Sequence, residues 1–437
     1  MPDGIELRDF RCPKCAETAR LDPRFVQWCT SCGYNADPKP PELGNREVRR
    51  LAREYERSRR LFESLRTASS LRPTTAVGLS VTVLSGIVHL MGICLLVLPI
   101  LLVVAAHEAG WSEVVLGICV LTFLAVGPRL PRRVNSNGGL DRASAPRFYE
   151  LLDRCAAELG CAVPDQVRLG LSFNASTGRA GIRQRSYLLL GVPLWTVLSG
   201  QERIALLGHE LAHQVNGDTT HGLWAASARR SLHAWTKLLD PRQTRFEEAS
   251  DMRIAQTSGG GFTTLAALLT PAVLAVLFAP LFAVAVGCQA LLGRLDLYCG
   301  QRAEYLADEL GAQLAGSEAL LGLLVKLGLA EAVGGFLTTS KNRSNAKRTE
   351  AASVLWPGLA EYVDSIPDTE RRRRELLDRL RNTRTDVSHP ANHLRIELTE
   401  ARPRTPGVLK LSEDEWAAID AELAPGYASA ARGLLGA

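Results

Sequence analysis

His209-Glu210-Leu211-Ala212-His213 decides how the rest of this chain is read. Residues four apart on an α-helix lie one turn above each other on the same face, so His209 and His213 can meet one metal ion. Glu210, next along the helix, can reach a water that such an ion activates. The flanks predict that helix. Ser199 with Glu202 forms a capping-box pattern, Ile204, Leu207 and Leu211 recur at helical spacing, and Asn216-Gly217 supplies a stop. A chance match on an amphipathic core helix is the bland alternative. With 8 His in 437 residues, the pattern arises by accident in roughly one such chain per hundred.

A hydrolytic zinc site needs a third protein ligand and an open position for water. Glu304 and Asp308 are again four apart, so both carboxylates share a helix face. Glu304 is the candidate ligand. Asp308 is the candidate acceptor from the free ring nitrogen of a ligating histidine, His209. A solvated acidic face has the same spacing, and spacing alone leaves both readings open.

Residues 208–218 (GHELAHQVNGD) together with 304–308 (EYLAD) resemble the HtpX and CAAX-prenyl-protease family of membrane zinc metallopeptidases. The resemblance implies zinc bound by His209, His213 and Glu304, with Glu210 as general base. Asn174-Ala175 resembles the family's Asn-Ala on the strand that edges the active site, which implies contact with substrate. Ser388-His389-Pro390 with Arg395-Ile396 resembles its C-terminal Thr-His-Pro…Arg-Ile block, and that position makes His389 the candidate donor to an oxyanion. The likeness covers about 140–400 in scattered motifs. It departs before the third ligand, where the family has Ser-Arg and this chain has Gly300-Gln301, with an arginine shifted to Arg302. Peptide deformylase also carries HExxH but needs an upstream ligating cysteine, and the nearest here, Cys161, precedes the expected strands.

A second metal pattern stands at the front. Cys12-Pro-Lys-Cys15 and Cys29-Thr-Ser-Cys32 are two CxxC knuckles, which close a tetrahedral zinc site with no position for water. In a segment of about forty residues the metal supplies what a small core cannot. A redox pair is the alternative. The partner of this ribbon is not readable. The other six of the ten cysteines show no ligand spacing, and a reducing compartment is the simplest expectation.

Apolar residues pile up at 75–106, 112–128 and 262–293. The first run is long enough to span a bilayer and the second is short, with His107-Glu108-Ala109-Gly110 as a turn between them. Arginines crowd the outer flanks, so the positive-inside rule predicts a hairpin with both ends in the cytoplasm. The third run follows a Ser-Gly-Gly-Gly hinge at 258–261 and contains Pro271 and Pro280. It falls between two stretches that must serve one ion. A short or re-entrant hairpin turning near Pro280 is therefore expected. The Arg-rich stretch 43–72 reads as a salt-bridge-laced helix, and its basic excess beside an apolar run suits anionic headgroups. The polar start carries no expected cleavable signal.

The expected organisation is a zinc ribbon (1–40), a juxtamembrane helix (41–73), a transmembrane hairpin (74–130), a first catalytic part (131–258), a membrane-embedded or re-entrant segment (259–294) and a second catalytic part (295–437). The expected fold is mainly α with a small β-sheet (α+β), zincin-like. Helices are predicted at 144–159 with Ser144 as N-cap, at 368–382 and at 412–423. Strands are predicted at 166–173 and 186–191. The expected protein is a multi-pass cell-membrane zinc endopeptidase, with one catalytic and one structural Zn2+ and with ribbon and catalytic domain cytoplasmic. Its partners are polypeptides, membrane proteins among them, and the lipid bilayer. The formal net charge of +5 and the absence of a basic-aromatic stripe in the ribbon argue against nucleic acid. The rival is a non-catalytic membrane scaffold or regulator whose ribbon binds a partner.

Overall fold

A computed structural model of the chain describes residues 6–40, 42, 44–68, 70–71, 75–106, 116, 139–181, 183–215, 218–239, 261–343, 348–381 and 389–436. The protein is mainly helical with two small sheets, as the sequence predicts. It divides into two units, one of residues 1–72, 134–219 and 300–437, the other of 73–133 and 220–299. The helices are α1 (Asn45–Arg66), α2 (Thr75–Ala106), α3 (Pro146–Leu159), α4 (Val192–Val197), α5 (Gly200–Val215), α6 (Asp218–Leu239) and α7 (Gly261–Ala315). They continue with α8 (Ser317–Leu327), α9 (Ala330–Arg343), α10 (Arg348–Asp364), α11 (Asp368–Arg381), α12 (Asn392–Ala401) and α13 (Glu413–Leu435).

The first unit holds both sheets. β1 (Arg8–Arg11) and β2 (Thr18–Leu21) form an antiparallel pair beside the four cysteines. β3 (Gly139–Leu140), β4 (Gln166–Gly170), β5 (Ala175–Ala180) and β6 (Arg185–Gly191) form a second sheet in the order β3-β4-β6-β5. β4 runs parallel to β6, and β5 runs antiparallel to it. That leaves β5 as an edge strand. One core joins these strands to α3, α4, α5, α8, α10 and α13 through Phe148, Leu188, Leu190, Trp195, Ile204, Leu207, Leu324, Leu359 and Leu423, all fully buried.

Local signals explain most helix ends. The Ser199 N–H donates to Glu202 Oε2 at 2.7 Å and the Glu202 N–H to Ser199 Oγ at 3.4 Å, so the capping box starts α5 as expected. A second one, Ser412 with Glu415, starts α13. That helix runs to Leu435 rather than stopping near 423, and Pro425 lies inside it. Ser144 does not cap α3. Its hydroxyl donates to Asp141 at 2.7 Å and Ala145 takes the cap position, because a side chain engaged by the preceding turn cannot also bond the helix. β4 ends at Gly170, three residues short of the prediction. The stop at 216–217 lies outside the described residues.

Four sulfurs close the ribbon. Cys12 Sγ lies 3.6 Å from Cys32 Sγ, and Cys15 Sγ 3.5 Å from Cys29 Sγ. Sulfurs held about 2.3 Å from one tetrahedral ion sit about 3.8 Å apart, so the set fits zinc. Backbone N–H groups of Cys32 and Ser31 hold the Cys29 thiol down to about 7, favouring the thiolate that a metal needs. The ribbon is docked on α11. Arg373 donates to the Ala36 carbonyl at 2.9 Å and forms a buried ion pair with Glu370, while Arg381 pairs with Asp37.

The second unit contains α2, α6 and the part of α7 before Gly300. These pack through Val81 and Val88 of α2, Ala228, Leu232 and Trp235 of α6, and Ala285 and Leu292 of α7. Among the described residues two helices are long and apolar enough to cross a membrane, over Ala76–Cys94 and Ala279–Ala315. The second qualifies through its apolar first part. Arg294, Asp296 and Arg302 mark where that part ends, and Glu304 and Asp308 lie beyond it. The bent pair α8–α9 would count as a third only by composition. Its Leu320, Leu323 and Leu324 are instead buried in the first unit's core. Along α2, Leu79, Val83, Leu90, Ile93, Ile100, Leu101 and Val104 are exposed, a surface suited to lipid rather than water.

The turn expected near Pro280 is absent. α7 runs unbroken through Pro271 and Pro280, since neighbouring turns can accommodate the one hydrogen bond that a proline removes. The chain instead leaves the HExxH helix through α6 and comes back along α7. The predicted span and turn at 107–128 lie, apart from residue 116, outside the described residues.

Replacing Arg373 by Ala leaves Glu370 with Arg374 as its remaining ion-pair partner and cuts the bond to the ribbon backbone. Stability should fall by about 1–2 kcal/mol, and limited proteolysis should release the ribbon early. An unchanged unfolding midpoint with a protected ribbon would contradict this docking.

Candidate metal centre

Two helices of the first unit build the site, and they meet where neither has a side chain. A Cβ on Gly208 would lie 3.0 Å from Gly311 Cα, and one on Gly311 would lie 3.0 Å from the Ala205 carbonyl oxygen. Glycine at both positions lets α5 and α7 approach this closely without strain. His209 follows Gly208 directly, and Asp308 and Glu304 lie one and two turns before Gly311, so the crossing brings their side chains together.

His209 Nε2 lies 3.4 Å from Glu304 Oε2, and His213 Nε2 lies 3.7 Å from Glu304 Oε1. Donor atoms held about 2.1 Å from one tetrahedral ion sit about 3.4 Å apart. The His209–Glu304 spacing matches that value and the His213–Glu304 spacing is longer, while the donors close enough together to share one ion among the described residues are His209, Glu304 and His389. The His209 and His213 rings are 5.0 Å apart and nearly perpendicular. His209 and Glu304 are buried, whereas the His213 side chain keeps 18% of its exposure. That leaves an open flank on the His213 side.

The His209 tautomer is set from behind. Its Nδ1 lies 3.0 Å from Asp308 Oδ1. Arg395, on α12, grips Asp308 with two bonds, Nε to Oδ2 at 2.8 Å and Nη2 to Oδ1 at 2.6 Å. Burial alone would raise the Asp308 pKa, but the Arg395 charge and its hydrogen bonds hold it down to about 2. An ionised carboxylate can only accept. His209 Nδ1 must then carry the proton, and the longer 3.4 Å approach of Arg395 Nη2 to the same nitrogen is not a competing bond. Nε2 is left to face the ion. Without a metal, burial lowers the His209 pKa, but the hydrogen bonds to Asp308 and Glu304 outweigh it and raise the value to about 10. Burial likewise lowers His213. Glu304 lies well below the usual range because His209 and His389 hydrogen bonds overcome its burial.

Glu210 is buried beside these groups. Its backbone carbonyl accepts from Thr177 Oγ1 at 3.1 Å, which ties α5 to β5. Among the described residues no protein group donates to its carboxylate. His389, expected as a donor to an oxyanion, stands with Nδ1 in hydrogen-bond contact with Glu304 Oε2. His209, Glu304 and His389 themselves form a group able to hold a metal. Asn174 accepts the Gly191 N–H at 3.0 Å through its carbonyl, and Ala175 begins β5 with its methyl buried in the core.

The partnership of Arg395 with Asp308 and the Gly208–Gly311 contact go beyond the sequence reading. Arg395 was visible there as part of the C-terminal motif, without a role. Arg302, where the motif departs, bonds the Leu71 carbonyl at 3.1 Å and the Ser70 carbonyl at 3.2 Å, tying the end of the juxtamembrane segment to α7. His393 is structural, with Nδ1 and its backbone N–H both on Asp378.

A sequence model described as Peptidase family M48 matches residues 144–400, more than half of the chain. No curated protein and no solved structure matches the chain significantly.

Two outcomes follow from this geometry. Asp308→Asn should weaken zinc binding about 10–100-fold and destabilise the fold by about 3 kcal/mol by leaving Arg395 unpaired. Metal content and thermal unfolding read both, and normal values of both would remove Asp308 from this role. The raised His209 pKa stabilises the metal-free fold fully below about 6.5, an effect lost as pH rises through about 10. Protons therefore compete with zinc more strongly at low pH. Retention against a chelator should fall by up to about tenfold per unit as pH is lowered from 9 to 6, and a flat profile would contradict the assignment.

Proposed function

Because the chain belongs to peptidase family M48, we propose that it is a membrane-integrated zinc endopeptidase, with His209, His213 and Glu304 as its metal ligands. The observation that carries this is the convergence of those three donors beside a Glu210 carboxylate that no described protein group engages. Bound zinc would supply Lewis acidity, lowering the pKa of a water and polarising the scissile carbonyl. Glu210 accepts the proton of the attacking water and delivers it to the leaving amine. Asp308 and Arg395 keep His209 in the tautomer that offers Nε2. His389 Nδ1 is engaged by Glu304, so Nε2 is the nitrogen left to donate to the tetrahedral oxyanion. Its contact with Glu304 also suits a fourth ligand, and zinc content of a His389→Gln protein separates the two roles. Retained zinc with lowered turnover supports the donor, and lost zinc the ligand.

Substrate binds as an extended segment along β5, with Asn174 and Ala175 at the near end of the strand. The substrates are polypeptides, membrane proteins among them. The four cysteines hold a second, structural zinc, and the ribbon meets a partner still to be identified. α2 and the apolar part of α7 anchor the chain as a multi-pass protein of the cell membrane, with the catalytic unit and ribbon on the cytoplasmic face. A non-catalytic scaffold has no use for a carboxylate held free beside an open flank of three metal donors.

Glu210→Gln should keep its zinc and lose about 10²–10⁴-fold in turnover of a membrane-reconstituted polypeptide substrate. Cleavage at the wild-type rate by a zinc-loaded variant would reject Glu210 as the base.

A further inference from the structure

β5 is a strand edge that no other strand covers among the described residues, and it lies against the helix that carries His209 and Glu210. Its side chains alternate between two faces. Thr177 points toward α5, because its hydroxyl bonds the Glu210 carbonyl. Ala175 and Arg179 share that parity. Arg179 stands two residues beyond Thr177, about 6.6 Å along the strand, and is exposed. Among the described residues its guanidinium makes no hydrogen bond or ion pair. Arg183 and Arg185, on the turn and the facing strand, are likewise exposed and have no ion pair among the described residues. Asp165 beside this hairpin is held by the Ser186 N–H at 2.7 Å and the Ser186 hydroxyl at 2.8 Å. Those bonds, and further off the charges of Arg185 and Arg179, hold the Asp165 carboxyl below its usual range; one carboxylate offsets part of the charge of three arginines, and the edge nearest the site ends in net positive charge.

We propose that Arg179 sets substrate preference, selecting polypeptides with an Asp or Glu two residues from the one that pairs opposite Thr177. A segment added to the outer edge of β5 presents its side chains with the parity of the residues it faces. The residue opposite Arg179 therefore comes within about 5 Å, Cβ to Cβ, on the same face. There a carboxylate completes the guanidinium and a cation is repelled. An anionic bilayer would also attract the hairpin, but it has no strand to pair. Only Arg179, not Arg183 or Arg185, combines exposure with the parity of Thr177. The inference rests on the proposed peptidase reading for the strand's occupant.

The test uses the full chain in detergent, zinc-loaded. The probes are fluorogenic ten-residue peptides of Ala, Ser and Leu in which one Asp, Asn or Lys is moved along the sequence. Wild type should cleave the peptide with Asp at one position about fivefold better in kcat/KM than its Asn counterpart, with Lys worse than Asn. Arg179→Ala should flatten the series and Arg179→Glu invert it, while Arg185→Ala should leave the order intact. The same peptides titrated onto the Glu210→Gln protein separate recognition from catalysis. If that protein binds them in the predicted order and wild type cuts none, the peptidase reading falls and Arg179 recognition stands. Equal values for Asp, Asn and Lys in wild type would overturn the proposal. So would an order unchanged in Arg179→Glu, absence of binding, or an Arg179→Ala effect confined to retention on anionic lipid vesicles.

Discussion

The close approach of α5 and α7 at Gly208 and Gly311 is the constraint on which the site depends. A Cβ at either position would lie only 3.0 Å from backbone of the other helix, so any side chain there would push the helices, and the donors they carry, apart by a few tenths of an ångström or more. Glu304 lies 3.4 Å from His209 and 3.7 Å from His213, spacings that a shared ion would bridge. A catalytic zinc needs its protein ligands close together with one position left open. The preorganisation therefore lies in the backbone crossing, and the side chains inherit it.

Behind that crossing runs a buried chain of charge, from Arg395 through Asp308 to His209. Burying such a pair is costly unless every lone pair and proton is used. Here Asp308 accepts two bonds from one guanidinium and one from the imidazole. α12, which supplies Arg395, is itself held at its start by Asp378 of α11. α11 is in turn the helix on which the ribbon docks through Arg373 and Arg381. The four-cysteine segment is thus linked to the metal centre by a continuous series of packed and hydrogen-bonded parts. Its residues belong to the same unit as the candidate site.

What could be read from the sequence was what is local. HExxH, the i, i+4 carboxylates, the CxxC knuckles and the Ser199–Glu202 capping box each fall within one or two helical turns, where spacing dictates geometry. The Arg395–Asp308 pair and the His389–Glu304 contact join residues more than eighty positions apart, and no periodicity reports on them. β5 escaped as a full strand because Ser, Gly and small residues give it a weak strand signal, and pairing with β6 forms it. Ser144 failed as a cap because Asp141 competes for its hydroxyl. The expected turn at Pro280 weighed two prolines too heavily against a long run of helix-forming apolar residues.

The proposed zinc site takes side chains from two distant helices and is separate from the ribbon. It is tested most directly by counting zinc bound to the purified full chain and to a Glu304→Gln protein, whose side chain has nearly the same shape but a weaker donor. The account predicts two equivalents falling to one, with the remaining ion surrounded only by sulfur in X-ray absorption at the zinc edge. Two equivalents retained in the variant, or a remaining ion still bound by nitrogen, would contradict it.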